Sequence, residues 1–191
     1  MNFNNHSDYE GKHAFLGAST YSWIRYDLDK LTSRYRNEAA KERGTRLHAL
    51  ACEHIKLHIP MPDDGSTLSL YINDAIRYKL TPEQVLFYSP NCFGTADSIG
   101  YFPFEYGKPR LIIHDLKTGI TKCSMDQLKI YAAIFCLEYN CNPEDMDIYL
   151  RIYKDGSCIE LEPPPDDIRE IMDIIPIFDQ RIEQIRQEAG L

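Results

Sequence analysis

Apolar residues at Leu47, Leu50, Ala51, Ile55 and Leu57, with His54 in the same stripe, recur at helical spacing and predict a helix over 38–58. Pro60 and Pro62 are read as its stop. Before it, Ser19-Thr20-Tyr21-Ser22-Trp23 predicts a short helix that Ser19 or Thr20 can cap, and residues 1–18 read as a flexible arm. A second helix is predicted over 67–78. Strands follow at 85–89 and 96–102, divided by a turn at Pro90-Asn91, and a connecting turn at 103–109 leads to a strongly apolar strand at 110–116. Residues 125–139 return to the helical period, with Leu128, Tyr131, Ala132, Phe135 and Cys136 on one side. Two strands, 148–153 and 158–161, form a hairpin across Asp155-Gly156. Pro163-Pro164-Pro165 ends it, and a long helix is predicted over 166–189. The order of elements implies an α/β fold in which one mixed five-stranded sheet is flanked by helices, in a single domain over 1–191.

Composition changes this picture little. Hydrophobic residues make up 43% of the chain, as in an ordinary globular protein. No apolar run is long enough to span a bilayer and the first residues are polar, so neither a membrane nor a signal peptide is expected. The six cysteines, Cys52, Cys92, Cys123, Cys136, Cys141 and Cys158, form no CxxC pair. Free thiols in a reducing cytoplasm are the expectation, against disulfides or a metal cluster.

The net charge of −8 argues at first sight against a nucleic-acid enzyme. Its distribution softens the objection. Residues 155–191 carry ten acids and three bases, and the rest is close to neutral, with nineteen acids and eighteen bases. Arg34, Arg36, Lys41, Arg43 and Arg46 form a basic stretch just before the first long helical pattern, read as a DNA contact or, more blandly, a solvated face. In the terminal helix Ile168, Ile171, Met172, Ile175, Phe178, Ile182 and Ile185 recur at helical spacing. One face is therefore core or interface, and the acids form the other.

The segment Leu111-Ile112-Ile113-His114-Asp115-Leu116-Lys117 carries the chemistry. A strand has a side-chain period of two, so Asp115 and Lys117 project from one face, a carboxylate beside a cation. Asp97 lies on the preceding strand, where two carboxylates can share one hard divalent ion. His48 sits on the long helix after Gly44-Thr45-Arg46-Leu47. Gln127 and Tyr131 are four apart and share a helix face. An Asp-x-Lys or Glu-x-Lys triplet alone is weak; Glu10-Gly11-Lys12 is another, without strand context.

Together, in this order, His48, Asp97, Asp115, Lys117, Gln127 and Tyr131 resemble the RecB-like branch of the PD-(D/E)xK nuclease superfamily over residues 40–155. Arg46 and the arm with His13-Ala14-Phe15-Leu16 and Trp23 resemble phage and prophage members. The resemblance implies a restriction-endonuclease-like core and a metal-dependent nuclease. Asp97 and Asp115, with the Leu116 carbonyl and His48, would hold Mg²⁺ or Mn²⁺. Lys117 would position the attacking water, and Gln127 and Tyr131 would contact the DNA backbone. Glu53, five residues beyond His48, is expected to lie outside that set. Some relatives carry four cysteines around an iron–sulfur cluster, one upstream of the core and three near the C-terminus. This chain has no cysteine before Cys52 and only Cys158 after Cys141, so no cluster is expected, and the resemblance narrows to the λ-exonuclease or YqaJ type. An exonuclease of phage replication or recombination is then expected in the cytoplasm of a bacterial or phage-infected cell, as a homo-oligomer or beside a single-strand annealing protein. A structure- or sequence-selective endonuclease is the alternative. A non-catalytic interaction protein or DNA mimic, built on the acidic terminal helix, is the reading from another class.

Overall fold

The computed structural model describes residues 4–103, 107–119 and 123–190. Residues 1–3 of the arm and 104–106 of the connecting turn lie outside them. The chain divides into two compact units, Met1–Gly44 and Thr45–Leu191, with the division inside the first helix, α1 (Leu28–Lys56).

In the first unit none of the described residues is buried. The expected short helix is 3-10, Ala18–Arg25, and neither Ser19 nor Thr20 caps it. Gly17 precedes it instead. Thr20 lies inside with non-helical dihedrals, and its hydroxyl donates to the Gly17 carbonyl at 3.2 Å. The Trp23 indole N–H donates to the same carbonyl at 2.9 Å. α1 starts ten residues before the predicted boundary because its first turns bury nothing, so no apolar period marks them. The start is set by Asp27, whose carboxylate accepts the Lys30 amide at 2.7 Å. The other end also precedes its expected signal. His58, at φ 53, takes the left-handed position beyond the last turn, and the Ile59 amide returns to the His54 carbonyl at 3.0 Å. Pro60 and Pro62 follow a helix that has already stopped.

The second unit is built on a sheet of order β1-β2-β3-β4-β5: β1 (Thr81–Ser89), β2 (Cys92–Phe102), β3 (Arg110–Leu116), β4 (Asp147–Lys154) and β5 (Ser157–Leu161). All neighbours are antiparallel except β3 and β4, whose parallel pairing requires a crossover. Helix α3 (Asp126–Glu138) supplies it. The expected mixed five-stranded sheet with helices on both faces is therefore the observed architecture. On one face α3, backed by α4 (Pro165–Ala189), covers Leu111, Ile113, Leu150 and Ile152. On the other, α2 (Thr67–Arg77) and the end of α1 cover Ile112, Leu116 and Tyr153 through Ala51, Ile55, Tyr71 and Ile72. Strict alternation along β3 assigns its residues to the two layers, which explains why every residue from Leu111 to Leu116 is buried.

α4 uses its apolar stripe unevenly. Ile168 and Ile175 are buried, whereas Phe178, Ile182 and Ile185 are exposed. Several of its acids bind within the fold. Asp167 pairs with Lys129 at 2.6 Å, Asp179 accepts from Ser89 and Asn91, and Glu183 accepts from Asn91 at 2.7 Å. All six cysteines are free thiols, and among the described residues no helix is long and apolar enough to cross a membrane.

Candidate metal and phosphodiester site

The site forms where the three-stranded meander comes apart. In the β1–β2 ladder Pro82 faces Ser98 and Gln84 faces Ala96, which brackets Glu83 and Asp97 opposite each other. The β2–β3 ladder ends at Ser98 and His114, one step short of Asp97 and Asp115. Three carboxylates thus lie in a row across three adjacent strands. Like charges set opposite each other destabilise a sheet, so this row has a cost that something else must offset.

The backbone is irregular at the same place. Ala96 and Ile99, three residues apart, both join the core on the α3 face, so the period-two alternation of β2 breaks between them. Glu83, across the ladder, is held at φ 52, a left-handed conformation that non-glycine residues seldom adopt. With the ladder interrupted, the Asp97 side chain replaces a backbone acceptor: its Oδ2 takes the Leu116 amide N–H at 2.8 Å. Leu116 therefore meets the site through its amide.

Two groups of side chains converge there. The first is His48, Glu83 and Asp97, whose ligand atoms all lie within 4.8 Å of one another. His48 Nδ1 is 3.4 Å from Asp97 Oδ1, and this contact raises the imidazole pKa against the opposing effect of burial. The second is a hydrogen-bonded chain. Lys117 Nζ donates to Asp115 Oδ1 at 3.0 Å and to Gln127 Oε1 at 2.9 Å, and Gln127 Nε2 donates to the Tyr131 hydroxyl at 3.1 Å. Tyr131 is seated over Gly94, where a Cβ would stand 2.8 Å from the ring.

Burial, and then the Asp97 charge, raise the Asp115 pKa, with Lys117 opposing. Burial followed by Asp97 likewise raises Glu83. Asp97 thus acts on His48, Glu83 and Asp115 alike. The donor set suits a divalent cation: carboxylates for a hard ion, one imidazole that also tolerates Mn²⁺, and an Asp115 Oδ2 that is buried with no hydrogen-bond partner among the described residues.

Of the residues singled out in the sequence, His48, Asp97, Asp115, Leu116, Lys117, Gln127 and Tyr131 meet through these contacts. Arg34, Arg36, Lys41 and Arg43 are exposed in the first unit, Lys41 within 3.5 Å of Glu38. Arg46 and Glu53 are exposed on the second unit's part of α1. Sequence reasoning passed over Glu83, because the strand was read as beginning at Val85. The available signal was a carboxylate two residues ahead of an apolar run. His114, next to Asp115, projects to the opposite face between the rings of Tyr78 and Tyr153, where burial pushes its pKa down to about 3 and keeps it neutral. Comparison with family models, curated proteins and solved structures finds no match.

Proposed function

We propose that this chain is a metal-dependent deoxyribonuclease of the RecB-like PD-(D/E)xK type, with a restriction-endonuclease-like core and no iron–sulfur cluster. The observation that carries the reading is the unbroken chain Asp115–Lys117–Gln127–Tyr131 beside the His48–Glu83–Asp97 group. Any one of these side chains is unremarkable. Their convergence at one sheet end, with irregular backbone and two acids, Glu83 and Asp115, raised by burial and then by Asp97, is the kind of arrangement that functional sites concentrate.

Asp97, Asp115, Glu83 and His48 are the residues that would hold Mg²⁺ or Mn²⁺, and Leu116 braces Asp97 through its amide N–H. A bound ion of this kind supplies charge neutralisation at a phosphate and a more acidic water. The protein side chains supply orientation. An ammonium has three N–H donors, and Lys117 commits two of them to Asp115 and Gln127. The third is left for the attacking water or a non-bridging phosphate oxygen, whose charge grows in the transition state. Gln127 donates to the Tyr131 oxygen, which leaves the Tyr131 O–H to donate onward to the DNA backbone. Asp115 also fixes the position of the lysine.

An exonuclease of phage replication or recombination is the reading we carry forward. The test is digestion of linear and covalently closed duplex by purified protein, with chelator and then with Mn²⁺ or Mg²⁺ restored. Linear DNA should be degraded and the closed circle left intact, with Mn²⁺ at least as effective as Mg²⁺. Cutting of the circle turns the assignment to an endonuclease. Activity with Mg²⁺ and none with Mn²⁺ removes His48 from the ligands. No cleavage with either ion overturns the proposal.

A further inference from the structure

The first unit holds an open apolar groove of about 520 Å³ lined by Phe15, Leu16, Leu31, Thr32, Tyr35 and Arg36. Its aromatic wall is built: the Phe15 ring stands edge-on to Tyr35 with centroids 5.3 Å apart at 88°. Among the described residues of the unit nothing covers it. Tyr35 is 61% exposed, and Leu16 48%. Exposed apolar surface of this kind marks a contact site.

Charge identifies the occupant. Residues 1–44 carry seven Lys or Arg against six Asp or Glu, whereas residues 45–191 carry fourteen against twenty-three. The unit with the groove is thus close to neutral, and the acidic excess of the protein lies outside it. Arg36 lines the groove itself, and Arg34 is two residues away on the same helix. A flat, open, aromatic-walled groove with a guanidinium at its rim fits a nucleobase against the rings and its phosphate against the arginine. That is how single strands are held without sequence readout. A paired base is stacked inside its duplex and has no free face to offer.

We infer that the groove walled by Phe15 and Tyr35 binds an unpaired base of single-stranded nucleic acid, so that the first unit is a single-strand docking element. This rests on the nuclease reading for its biological sense, but its test is independent of cleavage. In chelator, fluorescence anisotropy with a short labelled oligothymidylate should report tighter binding than a blunt hairpin duplex of equal length. Tyr35→Ala should weaken strand binding by about tenfold, and Tyr35→Phe should retain it. An iodouracil-substituted strand should photocrosslink to Phe15 or Tyr35, which covers the case of a Tyr35→Ala variant that does not fold. Equal affinity for duplex, an unweakened Tyr35→Ala of normal helicity, crosslinking elsewhere, or a Tyr35-dependent dimer in sedimentation each overturns the inference. Tyr35-dependent strand binding without any cleavage leaves it standing and removes the nuclease reading. Cleavage with no effect of Tyr35→Ala does the reverse.

Discussion

Lys117 bonds to both Asp115 and Gln127, so its removal should unseat the whole chain. Lys117→Ala should lower single-turnover cleavage by about 10²–10³-fold, the usual cost of one transition-state donor. Its melting temperature should move little, since the residue lies just past the end of β3. A variant that cleaves within a few-fold of wild type removes Lys117 from the mechanism. A residue outside the site sets an acid limit. At the start of α2 the Ser66 side chain, the Ser66 amide at 2.9 Å and the Ser69 hydroxyl at 2.7 Å all favour the Asp64 carboxylate, which holds its pKa down at about 2. A depressed acid stabilises the fold above its unfolded pKa and loses that contribution as pH falls through the folded one. Asp64→Asn should therefore melt below wild type at neutral pH, with the gap closing between about pH 4 and pH 2. At this scale Asp97, Asp115 and Lys117 could be read from the sequence because a period-two apolar strand delivers the last two and a short connection delivers the first. Glu83 could not. Its placement depends on a positive φ and a break in the alternation of β2, and no local pattern encodes either.

At the scale of elements, β2 and α3 meet where Tyr131 covers Gly94. Gly94→Ala would set a Cβ 2.8 Å from Tyr131 Cε1, so ring or strand must move. Overpacking of this kind costs about 1–3 kcal/mol. The variant should melt lower and cleave more slowly, because displaced Tyr131 loses its bond from Gln127. Thermal unfolding and cleavage measured on one preparation decide it, and a normal melting temperature with normal cleavage contradicts the packing described. The strands and helices themselves were legible wherever burial imposed a period: β3 falls on the predicted residues, and α2 and α3 within one residue at each end. α1 escaped at its N-terminal side because its first ten residues, about 15 Å of helix, form from capping and propensity while burying nothing. The terminal helix shows the converse. Its apolar repeat is continuous, yet only the first half reaches the core.

At the scale of the whole molecule, three carboxylates and an imidazole at one sheet end, with a single lysine bonded among them, make a site that should gain stability on binding a cation. A ligand at about a hundred times its Kd adds about 2.7 kcal/mol to folding. Mn²⁺ should accordingly raise the melting temperature of wild type, chelator should reverse the rise, and Asp97→Ala should respond weakly. An equal rise in both proteins places the ion elsewhere. Net charge was the least informative quantity in the sequence, because the acidic excess belongs to residues 45–191 and several of the α4 acids bond within the fold. The most direct measurement is release of acid-soluble nucleotides from linear duplex DNA in Mn²⁺, comparing wild type with Asp115→Ala purified in parallel. The account predicts release by wild type and a loss of at least about a hundredfold in the variant. Equal release by both would assign the activity to a contaminant or another site, and no release by wild type would contradict the account outright.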